Sequence, residues 1–531
     1  GTAIFGLGVG LAGISLLAAF TDVGTVAPTL GAMIGLGVGI DYSLFIVTRH
    51  RENVANGMAI TESAGNAIAT AGQAVLFAGS IVVVALCGLL LAGIPYAATL
   101  GFSAALVVAI MILAALTLLP ALIGIAGRNI DRLRVPGMHP STGTEGNEVA
   151  GQAGKARGFA RWAHFVGRHP WPFAVACTVV MITITIPLAS MRLGQTDDGT
   201  APASSTQRKA FDLLARGFGP GINGPLLVAV SLPDPASVVV LDRLAHVLPK
   251  TKGVAVPGVL PANRNTAGDV AIIAVLPNSS PDAVTTAELV SRLRNDVIPP
   301  AVAGTNAHVF VGGQTAAFID LGNRISERLP YLIASVVALS FLVLMMAFRS
   351  LIVPLTAAVM NLLSVGAAYG VVVAVFQWGW GKDLIGLEST IPIVSVVPMM
   401  MFAILFGLSM DYQVFLLTRI REDYALTGDP HTSVVTGLAN TARVITSAAL
   451  IMISVFLSFV GNPEPTVKMF GIGLASAVFI DATIVRMIFV PAVMEILGKW
   501  NWWFPHWMDR VLPHIELEGS SKPVVPATAG R

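Results

Sequence analysis

Ten mostly apolar stretches dominate this chain and decide most of what it can fold into. They lie at about 1–20, 25–48, 66–91, 96–126, 171–190, 329–349, 351–377, 390–418, 437–460 and 468–497. Most are too long for strands of a soluble protein. A helix that crosses a bilayer needs about 20 such residues, because only a helix satisfies every backbone group within its own segment when no water is present. Charged residues make up 12% of the chain, against about 25% in soluble domains. The chain is therefore expected to be an α-helical polytopic membrane protein with some attached soluble mass.

Several function classes drop out. The net charge is +2 and there is no basic tract or basic–aromatic pattern, so no nucleic-acid partner is expected. Cys87 and Cys177 both lie in apolar runs and read as small core residues. No Cys/His spacing suits a metal. The Gly-x-Gly-x-Gly strings at 6–10 and 35–39 lack the strand–turn–helix setting of a nucleotide loop. No catalytic Ser/His/Asp arrangement or P-loop is present, so no enzyme activity is expected.

Lys and Arg in short loops set the orientation. Positive charge concentrates in the loops at 49–65, 127–170 and 419–436, while those at 21–24 and 92–95 have none and 378–389 has only Lys382. With ten spans the C-terminus is then cytoplasmic, in a multi-pass protein of the plasma membrane. The chain divides into a first transmembrane half at 1–126 with four helices, a Gly- and Ser-rich cytoplasmic linker at 127–170, and one span at 171–190. There follow an extracytoplasmic domain at 191–328, a second half at 329–498 with five helices, and a tail at 499–531. Within 191–328, strands are expected at 225–231, 269–275 and 307–311. Helices are expected at 236–247, 282–297 and 314–328, which suggests a small α+β domain with βαβ units.

A twelve-residue stretch occurs twice. Asp41-Tyr42 with Phe45, Thr48, Arg49, Arg51 and Glu52 returns as Asp411-Tyr412 with Phe415, Thr418, Arg419, Arg421 and Glu422, 370 residues on. Each Asp-Tyr pair sits inside an apolar run that the Thr-Arg-x-Arg-Glu closes. An acid at the centre of a membrane helix costs roughly 2.5–3.5 kcal/mol on insertion scales. A chain that bears this cost twice, in the same setting, is expected to use the carboxylates. Two such helices at equal depth can face each other, so that Asp41 meets Tyr412 and Tyr42 meets Asp411. A phenol donor lowers the cost of a buried carboxylate. The four residues Asp41, Tyr42, Asp411 and Tyr412 are read as a proton relay, with protons as the coupling ion and no cofactor; the alternative is a static polar clamp.

Phe45 and Phe415, one turn beyond the acids, are candidates to shield the site or simply to pack. Asp481 is a third intramembrane acid, with Arg486 five residues on, and is read as a structural ion pair or as an accessory to the relay. Gly31, Gly35 and Gly39 form a small-residue ladder suited to close helix packing, as do Gly6 and Gly10. Trp500, Trp502, Trp503 and Trp507 suggest an interfacial belt.

The strings Gly35-Leu-Gly-Val-Gly-Ile-Asp41-Tyr42, Met401 through Asp411-Tyr412, and Phe479-Ile-Asp481-Ala-Thr483 through Val490-Pro491-Ala492 resemble the mycobacterial membrane protein large (MmpL) family of the resistance–nodulation–division (RND) superfamily. The resemblance covers nearly the whole chain. It implies a pseudo-two-fold helix bundle with extracytoplasmic α+β porter-like domains. It also implies proton-driven export of lipids or other hydrophobic molecules to the cell envelope, with membrane lipids as surroundings. The family pattern and the internal repeat together expect one helix, one domain and one further helix upstream of Gly1, from a preceding segment or another chain. Alternatives are a non-exporting machine of the same superfamily, such as a protein-export accessory or lipid sensor, and an inactive fragment.

Overall fold

A computed structural model describes residues 1–127, 158, 161–505 and 508, apart from the side chains at 411 and 440. Most of the linker and of the tail, Trp507 included, therefore lies outside the described residues.

Helices α1 (Thr2–Leu17) and α2 (Ala27–Ala55) open the first half. A third span joins α3 (Ile60–Ala67) to α4 (Gln73–Cys87) through a π-turn, and α5 (Pro95–Ala126) completes the half. A helix at 161–168, α6, leads into α7 (Pro170–Thr185). In the second half α12 (Gln314–Phe348) and α13 (Ile352–Val372) are followed by α14 (Val396–Thr427), α15 (Pro430–Ser458), α16 (Pro465–Ile480) and α17 (Val490–Leu497). Between α7 and α12 lies the mixed domain. Nine helices among the described residues are long and apolar enough to cross a membrane, with the shorter apolar α1 beside them.

The repeat is visible in the helix bounds. The spans Ala27–Ala55, Ile60–Ala92 and Pro95–Ala126 recur at Val396–Thr427, Pro430–Gly461 and Pro465–Leu497. The ladder glycines act as spacers. A Cβ on Gly31 would meet Ile14 and Val107, one on Gly35 Val107 and Met111, and one on Gly39 Met111 and Ala3. So α1, α2 and α5 approach closely where these glycines lie.

One expectation about the helix ends is corrected. The Thr-Arg-x-Arg-Glu stretches are helical, and α2 and α14 run past them to Ala55 and Thr427. Arg49 pairs with Glu52 at 3.3 Å and Arg419 with Glu422 at 2.7 Å. Such i,i+3 pairs support a helix that has left the apolar layer.

The domain between α7 and α12 opens with β1 (Leu193–Gly194) and α8 (Thr206–Phe218). Next come β2 (Leu226–Ser231), α9 (Val239–Val247), β3 (Val254–Val259), β4 (Asn263–Arg264) and β5 (Val270–Pro277). After them lie α10 (Val284–Arg292), α11 (Ile298–Val302) and β6 (His308–Gly312). Its main sheet has the order β3-β5-β2-β6, with β4 on β5, and every pairing in it is antiparallel. The βαβ expectation therefore needs correction. β2–α9–β3 and β5–α10–β6 each join strands that run parallel but are separated by a strand of the other unit, two interleaved split crossovers. Residue alternation shows which face of a strand is buried, not which strand is its neighbour. Strand β2 alternates buried Leu226, Val228 and Val230 with more exposed positions, and these join Ile273, Val275 and Leu289 in the domain core.

Candidate functional site

Asp41 and Tyr412 meet at the middle of the bundle. The Tyr412 hydroxyl donates to Asp41 Oδ2 at 2.7 Å, so the contact joins α2 of the first half to α14 of the second. Asp41 is 2% exposed and Tyr42 1%. The other oxygen of Asp41, Oδ1, has no hydrogen-bond partner among the described residues. A carboxylate so enclosed costs far more when charged than when neutral. The reciprocal contact, Tyr42 with Asp411, falls on the Asp411 side chain, outside the described residues. Phe45 packs edge-on against Phe415, with centroids 5.1 Å apart, and lies 6.2 Å from the Tyr412 ring. The two phenylalanines thus form an apolar layer one turn beyond the acid.

Asp481 and Arg486 join the same site. Both lie in a π-helical stretch, Asp481–Phe489, between α16 and α17. On an α-helix two residues five apart point about 140° away from each other. A π-helix bonds residue i to i+5 and brings them to one face. Arg486 Nε and Nη2 accordingly donate to Asp481 Oδ2 at 2.8 and 2.6 Å. Sequence spacing marked this pair as a loose neighbour; the widened helix makes it a direct, buried ion pair. Pro491 favours the widening, since it has no N–H for the carbonyl of Met487 and its ring would crowd that carbonyl in an α-helix. The indole of Trp162, on α6, donates to the Met487 carbonyl at 3.1 Å instead.

Arg486 is 1% exposed and its guanidinium lies over the Tyr412 ring, 5.0 Å from the centroid. It also donates to the Ser409 backbone carbonyl. A continuous chain of contacts thus runs from Asp481 through Arg486 and Tyr412 to Asp41, and crosses three helical segments.

Two members were missed by the sequence reading. Ser409 Oγ lies 3.1 Å from Asp481 Oδ1 and 2.7 Å from Asn361 Oδ1. A hydroxyl has one proton, so Ser409 serves one acceptor at a time. Asn361, a lone amide in the apolar run of α13, was the available signal. Ser409 lies three residues before Tyr412 and so shares its helix face. These residues line a cavity of about 20 Å³ with Tyr412 and Asp481, among mostly apolar neighbours such as Leu405, Leu408 and Met452; it is large enough for about one water. Among the described residues no group of His, Cys, Asp or Glu could hold a metal.

The chain matches a family model and several known proteins. A model described as the MMPL family matches residues 1–173 and 264–514. Membrane protein YdfJ of Bacillus subtilis is 37% identical over 520 residues, which cover 98% of this chain and 69% of YdfJ. The mycolic acid-containing lipids exporter MmpL11 of Mycolicibacterium smegmatis is 35% identical over 509 residues, 95% of this chain and 52% of that protein. The chain thus spans about half the length of this second relative. Among solved structures, SecDF in its super-membrane-facing form aligns with a TM-score of 0.48 at 15% identity, over 96% of this chain and 58% of that one.

Proposed function

The chain belongs to the MMPL family of RND-type membrane transporters, and from that premise we propose that it uses the proton-motive force to move lipids or other hydrophobic molecules toward the cell envelope. It is a transporter rather than an enzyme, and protons are its coupling ion. The proposed setting is the plasma membrane, with the mixed domain outside and the C-terminus in the cytoplasm, as the Lys and Arg distribution favours. A lipid class is favoured because the MmpL11 relative is described as an exporter of mycolic acid-containing lipids.

One observation carries the reading: the Tyr412 hydroxyl on a buried Asp41, with a buried arginine against the same phenol. Asp41 takes a proton and loses its charge. The bond from Tyr412 across the interface between halves then weakens, and Arg486 loses a polarised partner beside it. Release of the proton restores both. Each proton passage thus switches α2 and α14 between a clasped and a loosened arrangement, with Asp411 and Tyr42 as the second pair. Asp481 and Ser409 hold Arg486 against Tyr412.

The test is proton uptake and lipid movement in proteoliposomes of the full-length protein, with an extract of envelope lipids as substrate. Asp41→Asn keeps the shape and removes titration. Loss of both fluxes to background is the expected result. Normal coupled transport by that variant would show that Asp41 is only a clamp.

A further inference from the structure

The chain leaves the membrane for the mixed domain through residues 190–194, and this short segment is tied to the start of the relay helix. β1 pairs in parallel with β7 (Ile393–Val394), which sits immediately before α14. Ile393 N donates to the Arg192 carbonyl at 2.9 Å. Both the N–H and the hydroxyl of Ser395 donate to the Gly194 carbonyl, each at 2.9 Å. Around this pairing, Gln377, the last residue of the π-turn that follows α13, donates to the Ser190 carbonyl at 2.5 Å and accepts from Arg192 N at 2.9 Å. Trp378 Nε1 donates to Ser190 Oγ at 3.0 Å. The helix that leaves the domain passes the same point, where a Cβ on Gly322 would lie 3.2 Å from Ser395 Oγ and 3.9 Å from Leu193. Ser395 is fully buried.

Entry strand, exit helix and relay helix therefore meet at one residue. From Ser395 to Tyr412 is a single helix, about 25 Å at the α-helical rise. A buried helix with no break passes a displacement at one end to the other.

We propose that the β1–β7 joint, with Ser395 as its positioning residue, is the rigid link through which the relay helix moves the extracytoplasmic domain. This rests on the relay reading above and adds the route by which protonation reaches the substrate-handling domain. A movement of α14 along its axis carries β7 with it. β7 carries β1 through the shared hydrogen bonds, and β1 carries the domain.

Ser395→Pro tests the link selectively. The φ of Ser395 is −52°, close to the angle that proline fixes, and Val394 before it is extended, as a residue preceding proline prefers. The variant thus suits the local dihedrals, while it deletes both donors to Gly194 and sets its ring against that carbonyl, which opens the joint. Spin labels attached through ketone-bearing residues at Phe20, in the turn after α1, and Val256, in the domain, report the distance between the two parts. Both sites are exposed. In the native protein that distance is expected to change between about pH 5 and about pH 8 as the population of the two arrangements shifts. Ser395→Pro is expected to abolish the change.

A disulfide across the joint provides the second arm. Leu193 and Ile393 are direct partners in the register, and neighbouring strands about 4.8 Å apart fall within disulfide reach. With Cys87 and Cys177 replaced by alanine, Leu193→Cys/Ile393→Cys should keep the distance change. Added to Ser395→Pro, the disulfide should restore it, which separates a broken link from a misfolded protein. An unchanged response in Ser395→Pro overturns the proposal. So does loss of the response on stapling, which would mean the joint has to open, and so does a native protein whose distance ignores pH. Transport by Asp41→Asn decides the relay reading separately.

Discussion

In the first half, Pro120 lies within α5, an α-helix unbroken from Pro95 to Ala126. In the second, Pro491 stands 371 positions on and follows nine residues of π-helix. A proline in a helix interior is thus insufficient to widen it. The difference lies in the residues around it. At the repeat positions of Asp481 and Arg486 the first half has Ile110 and Ala115, which gain nothing from facing each other. The second half gains a buried ion pair, and Trp162 satisfies the carbonyl that Pro491 leaves without a donor. At these repeat positions one half packs apolar residues and the other holds a buried ion pair, and the Tyr412–Asp41 hydrogen bond joins the two halves.

Removal of one charge from the second half should break the comparison most severely. Asp481→Leu or Arg486→Leu alone leaves a buried charge without its partner, which costs about 3–5 kcal/mol. A marked drop in the thermal midpoint in detergent is expected. The double variant should recover much of that stability, since a well-packed apolar pair can replace a buried ion pair, while transport stays lost. Recovery of transport as well would make the pair purely structural.

The packing half responds to volume rather than charge. Gly39→Val places a side chain where a Cβ already comes within 2.8 Å of Met111 Sδ, and overpacking of this kind costs about 1–3 kcal/mol. A lower midpoint with proton uptake still present is expected. If uptake is lost first, the first half does more than pack.

Trp162→Phe sharpens the comparison at smaller cost. It keeps an aromatic ring, though a smaller one, deletes the bond to Met487 and should destabilise by about 1 kcal/mol. Faster hydrogen exchange confined to 481–489 is the expected signature. Exchange as slow as in the native protein would show that Trp162 has no part in holding the π-helix.

A separate effect concerns the domain, away from both halves. Burial raises the Asp197 carboxyl from 3.8 to about 6, the nearby Asp282 and Asp198 carboxylates add to this, and the Gly199 N–H opposes it. The folded state therefore binds this proton more tightly than the unfolded state. Its contribution to stability is complete below about pH 3.8 and is lost as pH rises through about 6. Asp197→Asn should flatten the pH dependence of domain unfolding in that window, measured by pulse proteolysis of the full protein. An unchanged slope would assign the dependence to another group.

The apolar runs, the repeated Asp-Tyr stretch and the division between helical halves and mixed domain follow from the sequence alone. Bilayer thickness fixes helix length, and a carboxylate in an apolar run is costly wherever the run ends up. The Tyr412–Asp41 partnership was also legible, because two copies at equal depth have few other ways to satisfy an acid. Tertiary structure decided the rest. Arg486 reaches Asp481 only because the helix is π-wound, and five-residue spacing in a sequence carries no winding. The interleaving of split crossovers depends on which strand inserts between which, whereas alternation records only a buried face. The place of Ser409 and Asn361 in the site, and the tie from Gly194 to Ser395, join positions 48 and 201 residues apart; a lone amide in an apolar run marks Asn361, but nothing local in the chain names the partner in either contact.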